Sequence, residues 1–485
     1  MNVRDRLAVA ICAAAVILGL LGDVVFHGRP LGLNALLWAI AFVLALATLL
    51  RVGRIPLHQG RRLMAAPLLL FAALLLWRDS PLLQAVNLFA IAGAFALGAL
   101  RRTERKVAHA EVDDYVAGAV TAGTATLLGA VELIQRDVPW RELRRGARAP
   151  RVAAVARGVG LGLPLLVVFG ALFATADAVF QNLLSAALPS LPRGWWLHLA
   201  IAVTIAWTSA GLLRDLLATR ESERVLSPRA TAPRLGATEL GVALAGVNLL
   251  FLAFVLVQVR YLFGGQDLVE ARVGLTYAEY ARHGFFELVV VAVLVLPLLL
   301  GVDAVLKGTE RQVRVVRTLS ACLIVLVGVV IASALQRLWL YQDQFGLTEL
   351  RIYATGVVLW LAVVFVWLGM TVLRGRRHLF ATGAIVAGFA ATLFINIVNP
   401  DALIARANLS RPNVDVAYLG ALSDDAVPTL VAKLPSLDPS LRRPLARTLL
   451  GRSSLRESWL SWNASRRHAE SLLASHNAEL QELAR

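Results

Sequence analysis

Cysteine is nearly missing from this chain. Its 485 residues contain two, Cys12 and Cys322, each inside an apolar run. That excludes a disulfide framework, a zinc knuckle and a CxxC redox motif, and both thiols read as small buried hydrophobes. Charge is scarce as well, at 16% of residues, against about a quarter in soluble globular chains. Acidic residues are the scarcer sign, with 32 Asp and Glu against 48 Lys and Arg. The net charge of +16 would suit a nucleic-acid binder if the arginines shared one polar domain with interleaved aromatics. They instead fall in short clusters between apolar runs, so no nucleic-acid partner is expected.

The usual catalytic signatures are also missing. There is no HExxH zinc site, no GxxxxGK[ST] phosphate loop, no GxSxG elbow and no kinase set. The eight histidines are scattered, and no metal or cofactor site is expected from them. Gly158-Val159-Gly160-Leu161-Gly162 has no strand before it, so it reads as small-residue helix packing rather than a dinucleotide loop.

What the chain has in abundance is apolar length. It is 58% hydrophobic with a mean hydropathy of +0.68, a membrane composition. Eleven runs predict transmembrane helices, at about 7–26, 33–50, 63–77, 82–100, 159–180, 195–213, 239–259, 285–306, 318–336, 352–373 and 379–398. The fold class is therefore an all-α polytopic bundle. Its first run, after Arg4 and Arg6, is read as a retained span rather than a cleaved signal.

Orientation follows from the cations. Alternate connections collect 29 Lys and Arg on one side and 8 on the other, with the remaining 11 after residue 399. The excess places the N-terminus in the cytoplasm of a bacterial inner membrane and, after eleven crossings, the C-terminus outside. The segment 115–134 is apolar too, but Arg101, Arg102, Arg105 and Lys106 precede it and Arg136, Arg141, Arg144 and Arg145 follow. It is read as interfacial or re-entrant, because a crossing there would invert every later loop. This divides the chain into a four-span region (1–100), a basic cytoplasmic segment (101–158), a seven-span core (159–398) and a tail (399–485). The tail has helical apolar spacing broken by Pro428, Pro435, Pro439 and Pro444, which predicts short extramembrane helices.

The connection 336–351 is over-equipped for a turn. It carries Arg337, Tyr341, Asp343, Glu349 and Arg351 alongside three glutamines. On the same expected outer side lie Arg260, Arg282, Glu287, Asn396 and Asn399. These ten residues are the candidate ligand-binding set. Glu287 stands just inside a span, where an unpaired carboxylate costs up to about 3 kcal/mol at the helix centre and less near the surface. Arg337 is an available ion-pair partner for it. The competing readings are helix capping for Arg337 and Asp343, interhelical hydrogen bonding for Asn396 and Asn399, and an aromatic belt for Trp339 and Tyr341.

Four stretches carry a resemblance. They are Thr276 to Leu288 (TYAEYARHGFFEL), Tyr341 to Thr348 (YxDxFGLT), Asn399 to Leu409 (NPDAxIARxNL) and Tyr418 to Pro428 (YLxxLSDDAVP). Together they resemble a bacterial polytopic membrane family catalogued as a domain of unknown function of the 4173 type, related to the 4153 type. The resemblance implies a multi-span architecture with an extracytoplasmic C-terminal segment, and no activity, cofactor or catalytic residue. Three functions stay open. The first is binding or moving a small or lipid-linked solute through the outer polar groups. The second is a scaffold acting through the tail or basic loops. The third is an enzyme using Glu287, Asp343 or Glu349 as base. Beyond the bilayer, the expected partners are that solute or a protein on the tail.

Overall fold

The computed structural model describes residues 3–56, 59–100, 112–140, 194–217, 236–263, 285–306, 308–452 and 458–485, with isolated positions between 158 and 173. The expected span at 159–180 lies outside the described residues. So does Arg282, with the first part of its motif.

The bundle helices are α1 (Val3–Phe26), α2 (Leu33–Val52), α3 (Gln59–Trp77), α4 (Pro81–Gly98), α5 (Val112–Glu132), α6 (Trp195–Leu217), α7 (Ala237–Phe263), α8 (Phe285–Val305), α9 (Glu310–Phe345), α10 (Glu349–Thr371) and α11 (Phe380–Val398). The tail follows as α12 (Pro400–Asn408), α13 (Val416–Ala421), α14 (Val427–Lys433), α15 (Pro439–Gly451), α16 (Ala464–Ser475) and α17 (Asn477–Ala484). No strand occurs among the described residues.

Ten helices, counting α5 with its π-helical continuation Leu133–Asp137, are long and apolar enough to cross a membrane. Helix α3 offers a shorter apolar stretch, Arg62–Trp77. At 1.5 Å per residue it spans less than the ~30 Å hydrocarbon core, yet Phe71, Leu68 and Leu75 are fully buried between neighbouring helices. Many large apolar side chains face outward, Phe89, Val242, Leu249 and Leu294 among them. In water that surface would be an aggregation hazard; in lipid it is the solvated face. Cys322 is on this exposed surface and Cys12 is half-buried, so the sequence expectation of two buried thiols is corrected. Hydropathy gives no phase around a helix that is apolar on all sides, which is why their faces were not legible.

Two apolar cores form. One draws on α1 to α6, through Ile11, Phe42, Met64, Leu133 and Leu213; the other on α7 to α11, through Leu244, Leu299, Leu323, Val364 and Leu368. Small contacts join them, with Phe389 of α11 packing on Phe71 of α3 and Ala381 lying beside Leu97 and Tyr115.

Helix α5 is unusual in its placement. Near its start, the Tyr115 and Thr382 hydroxyls hydrogen bond at 2.8 Å, beside Leu97 and Leu100 at the end of α4. Beyond its end, Arg214 in the last turn of α6 holds both Glu132 and Asp137. The ends of α4 and α6 lie together, with Leu216 against Gly98. Both ends of α5 therefore abut the same end of the bundle. The tail docks on the opposite end and has its own core, built from Ile404, Leu419, Leu430, Leu445 and Leu449.

Candidate functional site: the tail–bundle junction

The stretch 336–351 is mostly helix rather than loop. Helix α9 runs 36 residues to Phe345, about 54 Å at 1.5 Å per residue, so it outreaches the hydrocarbon core. Only Gly346, Leu347 and Thr348 make the turn into α10. Gly346 has φ +78°, which favours glycine, and its missing side chain leaves room for Asn408. The Asn408 amide then grips Leu347 from both sides: Leu347 N–H donates to Oδ1 and Nδ2 donates to the Leu347 carbonyl, each at 2.8 Å.

A helix end leaves carbonyls without partners, and here two arginines take them. Arg351 donates to the carbonyls of Phe345 and Gly346 while stacking 4.1 Å over the Tyr341 ring. Arg411 donates to the carbonyls of Gln342 and Asp343. The Tyr418 hydroxyl accepts from the Glu349 N–H at 3.0 Å and so caps α10. Gly346→Ala is expected to lower stability by about 1–3 kcal/mol, from left-handed strain and the displaced Asn408. Thermal unfolding in detergent checks this, and an unchanged midpoint would contradict the clamp.

Behind this hairpin the tail meets the bundle through buried polar groups. Asp425, 3% exposed, is the hub. Its Oδ2 accepts from the backbone N–H of Asp79 at 2.8 Å and of Ser80 at 2.9 Å. Its Oδ1 lies 3.5 Å from Arg78 Nη1 and accepts from the Ser465 hydroxyl. Arg78 Nε donates to the Asn396 carbonyl at 2.8 Å. Asn396 and Asn87 exchange reciprocal amide hydrogen bonds, both side chains fully buried, and so tie α11 to α4. Asn463 donates to the carbonyls of Leu75 and Arg78. Arg466 pairs with Asp79 at 2.6 Å and reaches the Leu31 and Ser461 carbonyls. Every one of these bonds satisfies a group that would otherwise be buried unpaired.

Asp401 departs from this pattern. Asn399, in the left-handed region at φ 56°, caps α12 and sets Asp401 in its first turn. One Asp401 oxygen takes the Ser423 N–H and hydroxyl, while Oδ1 is buried with no hydrogen-bond partner. Burial, and then the nearby Glu349 and Asp425 carboxylates, push its pKa up to about 6 against the pull of Ser423. Burial also pushes Asp79 up to about 6; Arg466 opposes this, and Asp424 and Asp425 add to it. These two carboxyls thus hold their protons closer to neutral pH than free carboxyls do.

The ten candidates fall into separate sets. Glu349, Asn396 and Asn399 belong to this junction, where the Glu349 carboxylate accepts from Ser80 at 3.2 Å. Tyr341 and Arg351 close the hairpin with the Asp343 carbonyl, the Asp343 side chain being exposed. Arg337 is buried in α9, whereas Glu287 is exposed in the first turn of α8, and the two form no ion pair. The pair allowed by sequence is therefore corrected: α8 and α9 are neighbours, but Glu287 is exposed on its helix while Arg337 is buried on the other. Arg260 lies in α7 and Arg282 outside the described residues. Among the residues not singled out, Arg78, Asp79, Asp425, Asn463 and Arg466 matter most. Only their setting next to predicted span ends or caps could have flagged them.

Ten apolar helices and a polar junction at one end define a multi-pass helical membrane protein. The family model described as "Domain of unknown function (DUF4153)" matches residues 65–432, and the chain belongs to that family. The match includes Arg78, Asn396, Asp401 and Asp425 but stops before Asn463 and Arg466. No curated protein and no solved structure matches the chain.

Proposed function

We propose that this membrane protein is a scaffold that holds its C-terminal helices in one fixed pose at the bilayer surface to receive a protein partner. The observation carrying this reading is where the polar groups are used. Arg351 and Asn399 cap helix ends, and Arg78, Asp425, Asn463 and Arg466 pin the tail to the bundle. The open groove on the tail is lined by Pro439, Ser440, Arg443, Pro444 and Arg447, which favours an acidic partner. Solute binding is the second reading. It is favoured by the unpartnered Asp401 Oδ1 beside Glu349 and Asp425.

The membrane we assign is a bacterial cytoplasmic one, with the N-terminus inside and the tail outside. Arg51, Arg54 and Arg62, Arg311, Arg314 and Arg317, and Arg374, Arg376 and Arg377 cluster at the end opposite the tail, as the positive-inside rule requires. The return of α5 to its starting end supports the reading in which 115–134 does not cross.

A photocrosslinking residue at Ser440 in cells is expected to yield one discrete protein adduct that Asp425→Ala abolishes. Compartment reporters after residues 110 and 150 should agree with each other and disagree with one after 440. The scaffold reading fails if Ser440 captures no protein while small organic cations saturably stabilise the purified chain and Asp401→Asn removes that effect.

A further inference from the structure

A second polar group sits apart from the junction, where the end of α1 meets the first turn of α6. The two helices run antiparallel and close, because Gly19 and Gly22 face Ala202, Ile205 and Ala206 with no side chain between. One turn on, this approach brings Asp23 and His27 from the end of α1 up to His198 in the first turn of α6. His198 Nδ1 lies 3.0 Å from both Asp23 oxygens, and His27 Nδ1 lies 3.7 Å from Asp23 Oδ1. One ligand atom from each of the three residues falls within 4.8 Å of the other two. The two imidazoles stack at 3.5 Å between centroids, 11° from parallel, and His27 Nδ1 is buried without a hydrogen bond.

We infer that Asp23, His27 and His198 form a binding site for a divalent transition-metal cation, zinc being the best fit. Two imidazole nitrogens and one carboxylate are a ligand set for Zn²⁺, Cu²⁺ or Ni²⁺, whereas Mg²⁺ and Ca²⁺ take oxygens. Three protein ligands leave a fourth position to water. Binding needs the rings to tilt apart so that each nitrogen lone pair points at the ion. His198 has the room, its side chain being 48% exposed. Binding through Nδ1 takes the His198 tautomer with its proton on Nε2, which leaves the Nδ1 lone pair for the ion. Arg29 is the neighbouring cation, and its guanidinium is turned onto the Val24 carbonyl. The site joins the ends of two helices that otherwise meet through small apolar residues, so an ion there would fasten α1 to α6.

The probe is Co²⁺, titrated into the full-length chain in detergent at neutral pH, purified without a histidine tag. Visible d–d bands saturating at one equivalent and displaced by Zn²⁺ are expected. His198→Gln and His27→Gln should each weaken binding more than about tenfold. His198→Gln alters an exposed side chain, so its thermal unfolding without metal should match the unsubstituted chain and show an intact fold. No saturable Co²⁺ or Zn²⁺ binding overturns the site. Binding equally tight in both variants also overturns it, because the ion would then sit on other groups.

Discussion

Asp425→Ala is expected to release the C-terminal helices from the bundle and to lower stability by about 3–5 kcal/mol, the usual cost of breaking a buried ion pair by removing one partner. The argument is one of orphaned groups. The Asp425 carboxylate is the acceptor for the Asp79 and Ser80 N–H groups and the counter-charge for Arg78, whose side chain is only 10% exposed. Alanine leaves two buried donors and a buried guanidinium with no acceptor on that side. Arg78 keeps its bond to the Asn396 carbonyl and its stacking on Trp77, so it does not simply swing out to solvent. Thermal unfolding in detergent reads the loss. Hydrogen exchange at Asp79, Ser80 and across α14 to α16 locates it. In a cycle with Arg78→Ala the double variant should be far less than additive, because the second removal takes away a group the first has already orphaned. Small, additive effects with unchanged exchange in the tail would mean that the junction does not hold the tail.

How much of this could be read from the sequence depends on the kind of signal. The bundle was legible because a run of about twenty apolar residues has few other uses. The short tail helices were legible because Pro428 and Pro439 stand in first turns, although Pro444, expected as a break, lies inside α15. Asp415 capping α13 and Ser423 capping the turn at Asp424 are of that local kind. The junction was legible only in part. Asn396 and Asn399 stood out as amides at the end of a span, and Glu349 as a carboxylate at a helix start. Their partners Asn87, Ser80 and Asp425 lie 309, 269 and 26 residues from the groups they bind, and no spacing rule connects them. Arg337 and Glu287 show the converse error, two good candidates on the same expected side that never meet. The His27–His198 stack was likewise hidden, since it needs Gly19 and Gly22 to bring two distant spans together.

Asp401→Asn should raise stability near pH 7.5, by on the order of 1–2 kcal/mol, and flatten the pH dependence of unfolding between about pH 5 and pH 7.5. An acid whose pKa is raised on folding binds its proton more tightly in the native than in the unfolded chain. Its contribution is therefore fully present below the unfolded carboxyl value and is lost as pH rises through the folded value. With Asp401 and Asp79 both pushed to about 6, the protein should unfold at a higher temperature near pH 5 than near pH 7.5. Asparagine keeps an acceptor for Ser423 and replaces the bare Oδ1 with an amide that can donate toward the neighbouring acids. It carries no charge to bury, so the cost of ionising Asp401 beside Glu349 and Asp425 disappears. Asp79→Asn makes a useful contrast, because it also gives up the Arg466 pair and so should not stabilise. Unfolding temperatures of the three proteins across that pH range decide the matter. If the Asp401→Asn curve runs parallel to that of the unsubstituted chain, Asp401 is not the group that titrates, and the acid pressure at the junction rests on Asp79.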